Sequence, residues 1–154
     1  MSGIVGGAGS KSGVIGSTEI PGGYEEGTFT PVVYFGGSVE SMSGTAGIYT
    51  KIGNIVNYQF RFYHSGSFSN SGNVKIAIPF ATSSTTDLYV GTGSLWSNLV
   101  EFIDTLFLEA DPNFSFLHFS RARGDGVTNP ITSLSSSNMS TSFQIRGQAT
   151  YTTN

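Results

Sequence analysis

Cysteine is absent from the 154-residue chain, which removes disulfide bridges, thiolate metal ligands and a cysteine nucleophile together. Charge is almost as scarce. Only 11% of residues are Asp, Glu, Lys or Arg, against a usual share of about 25%. Seven Lys and Arg stand against ten Asp and Glu, a net charge of −3. With no basic surplus to neutralise phosphates, nucleic acid is not an expected partner. The chain has two histidines, and no His pair shows metal-ligand spacing. No apolar run approaches the roughly 18 residues of a membrane-spanning helix, so membrane insertion is not expected. The segment Met1-Ser2-Gly3-Ile4-Val5 onward to Gly16 has one Lys and no continuous apolar stretch, and does not read as a secretory signal. The Gly-rich start also lacks the Gly-Lys-Ser/Thr ending of a phosphate loop, and no cofactor is implied.

What is present is aromatic and small. Aromatics reach 13%, with twelve Phe, seven Tyr and one Trp, beside 21 Gly. Many aromatics with little charge argue against disorder, and the length suits one domain with a real core. Residues 1–27 stand apart. Nine of them are Gly, and Ser2-Gly3-Ile4-Val5-Gly6 returns ten residues later as Ser12-Gly13-Val14-Ile15-Gly16. Such a segment cannot build its own core. Its apolar dyads, with Ile20, read as an arm that docks on a partner; a flexible tail is the plainer alternative.

From residue 28 the dominant period is 2. Residues 28–34 predict a first strand with Pro31 at an edge or bulge. Residues 48–51, a Gly53-Asn54 turn and residues 55–64 predict a hairpin. In the last of these Val56, Tyr58, Phe60 and Phe62 take one face and Asn57, Gln59 and Arg61 the other. Further strands are expected at 74–78, 88–95, 106–109 and 114–119. A final one is expected at 142–151, where Phe143, Ile145, Ala149 and Tyr151 alternate with Gln144, Arg146, Gln148 and Thr150. Residues 65–72 and 124–138 read as polar loops, and 98–108 offers a short helix with Leu99, Phe102, Ile103 and Leu106 on one face. The expected fold is an all-β antiparallel sandwich, jelly-roll-like, over residues 28–154 behind an extended Gly-rich arm over 1–27.

Residues with catalytic potential are few. His64 and His118 fall at strand ends and read as surface or rim residues. A glycosidase needs two carboxylates across a cleft. Glu101, Asp104, Glu109 and Asp111 cluster in sequence, but their spacing matches no Ca²⁺ loop, and solvated loop charge is the default reading. Arg123-Gly124-Asp125 is ordinary turn chemistry. The chain therefore reads as non-enzymatic, with no catalytic and no metal residues. Phe29, Tyr58, Phe60, Phe62 and Phe143 are assigned to the core. Tyr34, Phe35, Tyr63, Phe68, Tyr89 and Trp96 are an apparent surplus, fit for a large core, a sugar-stacking surface or, the favoured reading, contacts between identical subunits.

Three stretches carry a resemblance. Glu25-Glu26-Gly27-Thr28-Phe29-Thr30-Pro31 resembles the opening common in bacteriophage tail-fibre and related virion β-domains. Gly47-Ile48-Tyr49-Thr50-Lys51-Ile52-Gly53-Asn54-Ile55-Val56 is similar to the pattern that usually follows it. Ile76-Ala77-Ile78-Pro79-Phe80 looks like the later Ile-x-Leu-Pro-Phe strand, with Ile78 in place of Leu. Order and spacing agree over about residues 25–80. The resemblance implies a homotrimeric jelly roll on a virus particle, made in the host cytoplasm and released by lysis, and it carries over no catalytic residue. The short arm departs from a long fibre. The expectation is therefore a capsid decoration or cement protein, held on the major capsid protein or another virion protein through Ile4, Val5, Val14, Ile15 and Ile20. The alternative is a tail-fibre or receptor-binding protein whose aromatics near 63–68 and Trp96 meet a host surface glycan.

Overall fold

The computed structural model describes residues 23–85, 88–97, 105–122 and 131–154. These residues form β1 (Tyr24–Phe29), β2 (Val33–Phe35), β3 (Ser38–Glu40), β4 (Gly44–Ile52), β5 (Ile55–Ser65), β6 (Val74–Ala77), β7 (Leu88–Ser97), β8 (Thr105–Ala110), β9 (Phe116–Ala122), β10 (Ile131–Ser133) and β11 (Ser142–Thr152), with one 3-10 turn at Ser136–Asn138. All pairings are antiparallel, in the order β1-β4-β5-β11-β7-β8-β9-β6-β2-β3, and β10 adds to β9 beyond the end of β6. The expected all-β antiparallel fold is the one observed.

The sheet is continuous yet encloses a core, so it must curl. In a flat sheet β5 and β9, four steps apart in strand order, would lie about 19 Å from each other. Instead the Phe119 ring on β9 sits 5.9 Å from Phe60 and 5.8 Å from Phe62 on β5, centroid to centroid. The halves β4-β5-β11 and β8-β9-β6-β2 thus face one another like a sandwich. Phe62, Phe119, Ile76, Leu108, Leu117 and Ile145 are fully buried between them.

The hairpin over Gly53-Asn54 forms as read, with Ile52 opposite Ile55 and Gly53 at φ 61°, the sign a two-residue turn demands at its first central position. Four other readings are corrected. The strand expected over 28–34 is two strands. β1 joins β4, β2 joins β6 in the opposite half, and the chain crosses between them at Pro31, which has no N–H to give a ladder. β1 also starts at Tyr24, so the last residues assigned to the arm lie in the sheet; residues 1–22, with Ile4, Val5, Val14, Ile15 and Ile20, are outside the described residues. The C-terminal part of the proposed helix, from Thr105, is β8, where Leu106, Leu108 and Ala110 are buried at period 2; residues 98–104 are outside the described residues. Within the loop expected at 124–138, residues 131–133 form β10.

Glycines set the close approach of neighbouring strands. In register, Gly27 faces Tyr49, Gly44 faces Tyr63, and Gly47 and Gly147 both face Phe60. A Cβ on Gly147 would stand 2.6 Å from Phe60 Cζ and one on Gly27 2.9 Å from the Tyr49 hydroxyl. Each ring lies over a partner that has no side chain, so a bulky residue packs where two side chains would collide.

Candidate binding face

The four longest described strands, β4, β5, β11 and β7, lie side by side in the sheet and share an outer side. β5 alternates strictly, exposing Ile55, Asn57, Gln59, Arg61 and Tyr63 and burying the residues between them. Register converts this alternation into rungs across the sheet. Thr50, Asn57 and Thr150 share one, Ile48, Gln59, Gln148 and Thr92 the next, Ala46, Arg61, Arg146 and Ser94 the third, and Gly44, Tyr63 and Gln144 the fourth. Asn57 Nδ2 donates to Thr150 Oγ1 at 3.0 Å. Arg61 and Arg146 are exposed and directly opposed. Two open grooves flank them. One, of about 360 Å³, runs beside Ala46, Ile48, Gln59, Arg61 and Arg146; the other, of about 370 Å³, runs beside Gln59, Thr92, Ser94, Arg146 and Gln148.

The opposite half has a different character. Lys75 and His118 are register partners, as are His118 and Glu109. Lys75 Nζ lies 4.7 Å from the Phe116 ring centre, and Phe116 packs on Phe114 at 4.9 Å and on His118 at 5.2 Å. His118 Nε2 is 3.1 Å from Asp111 Oδ2, though out of line for a hydrogen bond. Burial lowers the His118 pKa from its ordinary value; the pull of Asp111 and Glu109 toward the charged form opposes this without overcoming it. Glu109 accepts from the Ser120 hydroxyl at 2.9 Å. Charges here are answered by their own neighbours.

The expected site residues separate accordingly. Tyr63 is exposed at 43%, on the outer side of β5 with Arg61. Tyr34 is half-buried opposite Lys75. Phe35 is corrected: it is 1% exposed, because the two-residue Gly36-Gly37 turn keeps it on the inner side with Val33. Phe68 is corrected too, half-buried and packed on Phe35 at 5.0 Å and on Phe143 at 5.9 Å. Trp96 is described by its backbone, opposite Gln144 on β11, and Tyr89 by its pairing with Glu109. His64 is no rim residue. It is buried, its Nδ1 donates to the Thr141 carbonyl at 3.0 Å, and its Nε2 stands 3.6 Å from the buried Glu40. Glu101, Asp104 and Arg123-Gly124-Asp125 lie outside the described residues. Among the described residues no three His, Asp or Glu side chains gather as for a metal. The Arg61–Arg146 opposition has no counterpart among the residues expected from sequence. Both positions read as polar-face residues, but the register that joins strands far apart in the chain is not written in either one.

No protein-family model matches the chain, and no curated protein does. Among solved structures, the crystal structure of the Dettilon tailspike protein (gp208) is similar, with a TM-score of 0.59 at 20% identity. The similarity covers 82% of this chain and 23% of the tailspike chain, so this chain spans under a quarter of that protein's length. At this identity the likeness is one of fold.

Proposed function

We propose that the chain is a non-catalytic bacteriophage virion β-domain of the tail, with a structural and receptor-binding role. The observation that carries the reading is the shared fold with a tailspike over 82% of the chain, reached independently of the phage-type motifs at 25–31, 47–56 and 76–80. An open sheet face of amides, hydroxyls, two arginines and an exposed Tyr63 adds to it, because polar groups fixed on a rigid sheet suit reversible recognition of a surface glycan. The capsid-decoration reading depended on residues 1–27 as an arm and gains no support from the fold. Homotrimer formation belongs to the proposal as well, since three copies raise the strength of weak surface contacts by effective concentration.

The test is location and competition. Gold-labelled antibody against the chain should mark the tail of intact particles, and the purified chain should compete with those particles for adsorption to host cells. Labelling of the head shell, with no competition, would return the decoration reading to first place. Light scattering on the purified chain checks the trimer.

A further inference from the structure

We propose that the Arg61–Arg146 face binds an acidic glycan, the paired guanidinium groups taking the anionic group of one sugar and the flanking grooves taking its neighbours. This rests on the receptor-binding reading above and names its ligand class.

The arginines are the first ground. They stand opposite one another on adjacent central strands, both exposed. Like charges so placed repel, and among the described residues no carboxylate is paired with either. The described carboxylates are engaged elsewhere. Tyr49 donates to Glu25 and Tyr24 to Glu26, each at 2.6 Å; Ser69 and Asn70 donate to Glu40; Ser120 donates to Glu109; Asp111 sits beside His118. Glu26, on the rung of Asn57, is four residues along and two strands across from Arg61, about 16 Å by strand geometry. In a chain of net charge −3 this leaves a local positive field with no answer among the described residues, which a bound anion would supply. Arginine's rigid fork meets a planar carboxylate or a phosphate with two parallel bonds.

The surroundings specify what carries the anion. Gln59, Gln148, Thr92 and Ser94 line the grooves with donors and acceptors of the kind that match sugar hydroxyls, and the grooves are open on both sides of Arg146, so a chain can pass across. Tyr63, two residues from Arg61 on the same exposed side of β5, offers a ring face to the apolar side of a pyranose. A duplex or single-stranded nucleic acid fits less well, because two cations neutralise few phosphates. A second copy of this face fits worst, since it would bring arginines against arginines.

The experiment titrates the purified full chain by calorimetry with five probes: oligogalacturonate, polysialic acid, a glycerol-phosphate teichoic acid, neutral dextran and duplex DNA. The inference expects saturable binding of at least one acidic glycan, weakened by salt, and none of dextran. The carboxylate and phosphate arms show which anion is taken. Arg61→Gln and Arg146→Gln should each lower affinity about tenfold or more, because each removes a charge-assisted hydrogen bond to the anion. Arg146→Lys should fall between. Unchanged thermal melting in these exposed variants separates weaker binding from failure to fold. Binding of no acidic glycan, equal binding of dextran, tighter binding of DNA, or glutamine variants that bind like the parent would each overturn it. Virion labelling reads the role separately. A tail label without acidic-glycan binding sinks only this inference, whereas acidic-glycan binding by a head-located chain sinks only the tail reading.

Discussion

Successive residues of β5 live in different solvents. Val56, Tyr58, Phe60, Phe62 and His64 are buried, whereas Ile55, Asn57, Gln59, Arg61 and Tyr63 are in water. On the inner side each group's neighbours are fixed by the fold. Phe62 meets both Phe119 and Phe143 edge-on, and the Tyr58 hydroxyl is driven well above its ordinary pKa by burial. On the outer side the polar groups have few internal partners, and two cations have none among the described residues. The comparison teaches that core and open surface are divided between the two faces of one strand at a period of 2. The residues proposed for recognition can then change without disturbing the core.

Substitutions on the two faces should therefore differ in kind. Phe62→Ala should cost about 3–5 kcal/mol in urea unfolding through a cavity at the centre of the aromatic cluster. Glu40→Ala, which strands the Ser69 and Asn70 N–H groups that donate to it at 2.9 Å and deprives His64 of its neighbour, should cost about 3 kcal/mol; Glu40→Gln, keeping an acceptor, should cost less. Gly147→Ala should destabilise by about 1–3 kcal/mol, because the Phe60 ring at 2.6 Å and the Thr92 carbonyl at 3.0 Å from the new Cβ both confine it. Gln59→Ala, on the wet side, should stay within about 0.5 kcal/mol of the parent. A destabilisation there as large as at Gly147 would break the comparison.

His118 gives a pH signature. Its folded pKa is lowered by burial, so the unfolded chain binds the proton more readily. The associated stability is complete above the unfolded value of about 6.5 and drains away as pH falls through the depressed folded value. Unfolding midpoints measured from pH 7.5 to 5 should fall, and His118→Gln should flatten that part of the profile. An equal slope in the variant would place the titration elsewhere.

Much of this arrangement is readable from the sequence, and the failures have local causes. The strands at 55–64 and 142–151 are plain because alternation survives wherever one sheet face is dry and the other wet. The stretch 28–34 reads as one strand because Thr, Phe and Val favour extended backbone on both sides of Pro31, and propensity does not reveal that β1 and β2 serve opposite halves. Residues 98–108 carry apolar groups that fit a 3.6 period and, at Leu106 and Leu108, also a period of 2; pairing with β7 and β9 decides for the strand. Phe35 and Phe68 count as surplus in the sequence because a curled sheet needs more aromatic filling than a flat one, and curvature is a property of the assembled strands. The arginine pair is hidden for the related reason that register joins β5 to β11 across most of the chain.

That same junction has a consequence for how the protein is made. β11 occupies the middle of the sheet, bound on one side to β5 and on the other to β7, with Ser142 opposite Ser65 and Thr152 opposite Ile55. A ribosome that has released the chain only through residue 140 has produced two long strands with raw edges and no strand to place between them. Closure waits until β11 has been translated, and pairings this distant in sequence form slowly. The nascent polypeptide must be kept from its neighbours during that interval, so cooler, slower expression should give more soluble protein than rapid synthesis.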